Sequence, residues 1–93
     1  MITLPIKKKW FNMIVSGEKK EEYRSIKGYY VSMLDRYFGR IIDVKFRNGY
    51  SKTSPYCICK VLVSMGKGKQ EWGAAKGFFY YILIIKSIEY YKS

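Results

Sequence analysis

The chain has 93 residues and a mass of 11.0 kDa, with 18 Lys and Arg against 7 Asp and Glu, a net charge of +11 and a pI near 9.7. That length excludes two sizeable domains and predicts a single domain over residues 1–93. An aromatic fraction of 18% excludes a disordered basic tail, because such tails lack the side chains that build a core.

Residues 2–6 open the chain as a short strand, with Ile2, Leu4 and Ile6 alternating with Thr3 and Pro5. Pro5 makes it an edge or terminal strand. Residues 7–16 follow as a helix, with Trp10, Phe11, Ile14 and Val15 on one face and Gly17 as its left-handed stop. Residues 18–24 contain one uncharged residue, Tyr23. As a strand, they place Glu18, Lys20, Glu22 and Arg24 on one face and Lys19, Glu21 and Tyr23 on the other. Neither face suits an ordinary core, so the segment is either an exposed edge or the wall of a polar cavity.

Residues 28–38 show a second helical stripe through Tyr30, Val31, Leu34, Tyr37 and Phe38, stopped by Gly39. Ile42, Val44 and Phe46 alternate as a half-buried strand, and residues 47–55 turn and loop. Residues 56–65 form the longest strand, with Cys57, Cys59, Val61, Val63 and Met65 on one face. A glycine-rich basic loop spans residues 66–73, and residues 78–88 form a last strand, apolar on both faces and therefore central. The order predicts an α+β fold: five or six strands curled into a small β-barrel, with two helices in the N-terminal half.

Several classes of chemistry are disfavoured. Histidine is absent, which removes the usual general base and a common zinc ligand. The two cysteines cannot form a disulfide framework, and as neighbours on one strand face they suit a small apolar filler. No metal and no cofactor is expected. The longest apolar run, residues 78–85, has eight residues, against the ~20 of a membrane span. The start of the chain lacks a signal-peptide pattern, so a cytoplasmic location without a membrane partner is expected.

Three basic clusters are candidate contacts. Lys7, Lys8 and Lys9 stand at a helix start, where free N–H groups favour an anion, although a solvated charge cluster has the same pattern. Lys67 and Lys69 alternate with glycines, either to face phosphates or as an ordinary hairpin loop; no P-loop spacing follows. Trp72 either stacks on a base or plugs the barrel end.

Gly17, Lys19, Glu22 and Arg24 fit the pattern G-x-K-x-x-E-x-R, and Leu4-Pro5-Ile6-Lys7, Trp10-Phe11, Phe46-Arg47-Asn48-Gly49-Tyr50 and Glu71-Trp72-Gly73 flank it. On these residues the whole chain resembles the ASCH domain family, a PUA-like branch, in its small phage and prophage members. The resemblance implies a β-barrel with a cleft beside the first helix, its signature residues facing a nucleic acid or a nucleoside ligand. Some family members cleave RNA, and one branch hydrolyses N4-acetylcytidine with a lysine matching Lys19 and a threonine nucleophile matching Glu22. Glu22 stands here in place of that threonine, a departure from the pattern of that branch.

The leading expectation is a nucleic-acid-binding domain, RNA above all. Lys7, Lys8, Lys9, Lys20, Arg24, Arg47, Lys67 and Lys69 would meet phosphates, and Trp72 would stack. The second is a small hydrolase of RNA or an N4-acylated cytidine nucleoside, with Lys19 and Glu22 as catalytic residues. The third is a phage accessory protein whose charge meets an acidic host protein.

Overall fold

A computed structural model describes all 93 residues, Met1–Ser93. The fold is α+β, with two helices and five strands that curl into a half barrel. The order is β1 (Ile2–Ile6), α1 (Lys8–Val15), β2 (Glu21–Ser25), α2 (Gly28–Leu34), β3 (Ile41–Asn48), β4 (Tyr56–Lys67) and β5 (Phe79–Lys92). The sheet order is β1-β3-β4-β5-β2, parallel only between β1 and β3. No helix is long and apolar enough to cross a membrane.

The two free edges of the sheet, β1 and β2, are joined by α1. In β1, Leu4 and Ile6 enter the core, and the Ile6 carbonyl accepts the Gly49 N–H at 3.1 Å. Alternation then turns Thr3 and Pro5 outward, so the N–H that proline lacks would have had no ladder partner. Phe11 and Ile14 bury one face of α1 against the sheet, and the helix packs on β3. Gly17, with φ of 85°, stops α1 and turns the chain back toward the edge of β5.

Thirteen residues form one core cluster. β4 supplies Cys57, Cys59, Val61 and Val63, and β5 supplies Tyr81 and Leu83. The Tyr81 hydroxyl donates to Asp35 Oδ1 at 3.0 Å, tying the end of α2 to the sheet. Burying a phenol requires such a partner.

Several boundaries differ from the sequence expectation. The charged segment is a strand only from Glu21, because Gly17 to Lys20 carry the turn that enters the sheet, the Lys20 carbonyl accepting the Ile85 N–H as it does so. The helical stripe over residues 28–38 ends as α-helix at Leu34, and Asp35–Tyr37 tightens into a 3-10 turn. β4 runs through Gly66 and Lys67, which therefore belong to a strand, and Met65 lies past the core and is exposed. β5 continues to Lys92 because β4 pairs it over its whole length, Tyr56 opposite Lys92.

Gly68 sits where the chain leaves β4, and a Cβ there would stand 2.7 Å from Ala74 Cβ and from the Tyr23 ring. Gly68→Ala is therefore expected to lower stability by ~1–3 kcal/mol through overpacking. Gly28 has open space around it, and Gly28→Ala is expected to gain up to about 1 kcal/mol by restricting the unfolded chain. Urea midpoints of the two variants should move in opposite directions.

Candidate functional site

Lys19 and Glu22 are the only charged residues buried in the protein, at 1% and 7% exposure. Lys19 reaches this position because its N–H donates to the Met13 carbonyl at 2.9 Å, holding it under the last turn of α1. Its Nζ donates to the Glu21 carbonyl at 2.6 Å and the Trp72 carbonyl at 2.7 Å, and lies 3.2 Å from Glu22 Oε1. The ammonium thus has an oxygen for each of its three N–H bonds. The Tyr23 and Trp10 rings close over it at 4.9 and 5.2 Å.

Glu22 and Arg24 point to the core side of β2, across from Leu83 and Tyr81 of β5. Glu22 Oε2 accepts from Arg24 Nη2 at 2.7 Å. The same Nη2 donates to the Pro5 carbonyl at 3.1 Å, and Nη1 donates to the Tyr30 hydroxyl at 3.3 Å. Arg24 therefore bridges the two free edges of the sheet. Where backbone pairing would close a barrel, a side chain spans the seam.

The seam holds a cleft of about 400 Å³. Pro5 and Ile6 form one side, Glu22 to Ser25 the other, and Asn48, Gly49 and Tyr50 one end. Trp10, Tyr23, Tyr30 and Tyr80 complete the aromatic wall, and Lys7 and Lys8 stand at the lip. No side chain caps the start of α1, so its first N–H groups lie beside these lysines.

Of the residues expected from sequence, Lys7, Lys8, Glu22 and Arg24 line the cleft. Lys19 lies behind it, with its donors already engaged. Lys9 is exposed and lies over the Trp10 ring at 4.6 Å. Lys20, Lys67 and Lys69 are exposed outside the cleft; Lys69 covers the Trp72 ring at 4.6 Å. Arg47 is opposite Pro5 in the β1–β3 register and does not line the cleft. Trp72 is half-buried and supplies its carbonyl, not its ring, to Lys19. The aromatic wall was not assigned from sequence. A tyrosine beside a signature residue, as Tyr23 is, carries the one local signal that pointed to it.

Cys57 and Cys59 are buried with sulfurs 3.8 Å apart, and their contact together with burial pushes the Cys59 thiol up. No three Cys, Asp or Glu residues converge as a metal-ligand set. Burial pulls the Lys19 ammonium below the ordinary lysine range, against the opposing pull of Glu22. Burial raises the Tyr23 phenol, whose hydroxyl donates to Glu21 Oε1 at 2.8 Å and accepts the Lys69 N–H at 2.9 Å. No family model, curated protein or solved structure matches this chain, so the resemblance to ASCH domains rests on the signature and its flanks.

These shifts set an alkaline stability profile. Lys19 has a folded pKa below its unfolded value, so between the two the unfolded chain binds more protons and stability rises with pH. The Cys59 thiol and the Tyr23 and Tyr81 phenols are shifted the other way, so above about pH 8.5 for the thiol and about pH 10 for the phenols the folded chain keeps protons that the unfolded chain loses, and stability falls. From about pH 8.5 the Cys59 thiol opposes the gain from Lys19, and above about pH 10 the urea midpoint should drop. Lys19→Met should remove the rising contribution, so that the midpoint falls more steeply above about pH 8.5, and should lower stability by ~3–5 kcal/mol at neutral pH, because a buried carboxylate loses one of its cations.

Proposed function

We propose that this chain is an ASCH-like domain that binds single-stranded nucleic acid, RNA in particular, and takes one base into the seam cleft. The observation that carries this reading is the composition of the cleft: a carboxylate–guanidinium pair lies among aromatic rings, with lysines at the lip. The volume of about 400 Å³ suits a single nucleotide and falls within the ~300–1,000 Å³ of small-ligand sites.

Each part has a chemical counterpart in a nucleotide. Glu22 accepts from an exocyclic amino group, and Arg24 donates to a ring nitrogen or carbonyl. The rings of Trp10, Tyr23, Tyr30 and Tyr80 offer stacking surface. Lys7, Lys8 and the uncapped start of α1 favour a phosphate. The remaining excess charge, of which Lys9, Lys20, Lys67 and Lys69 are part, adds attraction that does not depend on sequence.

This reading gives Lys19 a positioning role. Its ammonium fixes Glu22, Glu21 and the Trp72 turn, and it has no free donor to offer a substrate. A catalytic lysine needs an accessible, deprotonated nitrogen. The bonding of Lys19 therefore favours binding over hydrolysis.

Tyr50 is the cleanest probe because it lines the cleft and is 87% exposed, so its removal leaves the core intact. Tyr50→Ala is expected to weaken binding of a labelled RNA oligonucleotide roughly 5- to 150-fold, the range for losing one stacking contact. Replacing Lys7 and Lys8 together by Ala should flatten the slope of log K against log salt by about 1.4, at ~0.7 per phosphate. Fluorescence anisotropy measures both, and no binding to RNA or DNA at about 50 mM salt overturns the reading.

A further inference from the structure

A second hollow, of about 420 Å³, adjoins the seam cleft. Ser25 and Tyr80 line both. Tyr80 is the aromatic residue common to both. Its hydroxyl accepts the Ala75 N–H at 2.9 Å, and its ring lies 5.7 Å from that of Tyr23, tilted by 38°. Its ring is therefore held in place at both ends.

The second hollow is walled by Ile26, Phe78 and Phe79, with Ala75 beside them. Phe78 and Phe79 are 63% and 60% exposed and belong to no part of the core. Two adjacent phenylalanines in water beside Ile26 make a contiguous apolar surface, the kind that serves as an interaction site. The only charged residue in the lining is Lys27, and exposed Lys76 lies next to Ala75 in the chain. An apolar, aromatic surface with cations and no carboxylate complements a flat ring attached to an anion.

An added peptide strand fits less well. Ile85 N–H donates to the Lys20 carbonyl at 2.9 Å, which places residues 20, 22 and 24 in the set that bonds to β5. Glu21, Tyr23 and Ser25 then face away from β5. The Glu21 carbonyl is taken by Lys19, and the Ser25 carbonyl accepts the Lys27 N–H at 3.0 Å. Two carbonyls of the outer edge of β2, those of Glu21 and Ser25, are thus already taken, which interrupts a backbone ladder at both ends of the strand.

We infer that the second hollow is a stacking site for the nucleotide adjacent to the one in the seam cleft. The chain then recognises single-stranded nucleic acid as at least a dinucleotide, with one base on each side of Tyr80. This rests on reading the seam cleft as a base site. The two hollows share Ser25 and Tyr80, so neighbouring nucleotides of one strand are close enough to reach both. A free nucleoside uses only the first.

The test compares a 5′-mononucleotide, a dinucleotide and the same dinucleotide with either base removed, by calorimetry against the wild type and a Phe78→Ala/Phe79→Ala double variant. The exposure of both rings leaves the fold of that variant intact, which its circular dichroism should show. The complete dinucleotide is expected to bind roughly 5- to 150-fold more tightly than its abasic counterpart of equal charge. The double variant should lose that gain and keep wild-type affinity for the mononucleotide. Mononucleotide binding with no gain from the second base, or a gain that survives in the double variant, overturns the second site alone. Failure of every nucleotide to bind overturns the seam cleft reading, and the second site with it.

Discussion

A line of charge, Lys19–Glu22–Arg24, buried at its first two members and half-buried at the third, holds the two free edges of this sheet together. Glu22 stands between the cations at 3.2 and 2.7 Å, and Arg24 carries the connection to the Pro5 carbonyl. In a closed barrel, backbone hydrogen bonds would do this along a whole strand. Here one guanidinium does it at a single point. The seam beside that point is left open, and the cleft exists because of it.

Burying ions is unfavourable unless nearly all their hydrogen-bonding capacity is met. Lys19 meets that condition through two carbonyls, a carboxylate and two aromatic faces. Its partners come from three separate places: the Trp10 ring of α1, the start of β2, and the turn containing Trp72. One ammonium therefore sets the relative position of all three. Tyr23 adds a second tie to the same turn through the Lys69 N–H. Glu22 and Arg24 are thus presented to the cleft by a rigid support, which is what a recognition site needs if binding is not to order its own side chains first.

The charge of +11 has two different uses in this structure. Lys19 and Arg24 are internal and structural as well as electrostatic. The exposed lysines form no comparable network; Lys60 with Asp43 is the one ion pair among exposed side chains, and such a pair contributes little. The same residue type therefore appears as an architectural cation at residue 19 and as a solvated one at residue 20. That difference follows from which way each side chain points after the turn at Gly17.

All seven main elements were legible in the sequence because each depends on a local pattern: period two in β1, β3 and β4, a helical stripe in α1 and α2, and glycine at the stops. The charged segment was legible as an anomaly, and it holds two cleft residues, Glu22 and Arg24. Its direction was not legible. Lys19 lies in a turn outside any regular element, so no periodicity assigns it a face, and only packing under α1 turns it inward. The aromatic wall was hidden for a related reason. Trp10, Tyr30, Tyr50 and Tyr80 lie on four segments far apart in the chain, and each is an ordinary half-buried or exposed ring where it stands. The sequence by itself determined the elements, the charge and the signature. The tertiary structure decided that the first two strands become opposite edges of one sheet, because strand order is set by long-range pairing that no local pattern encodes.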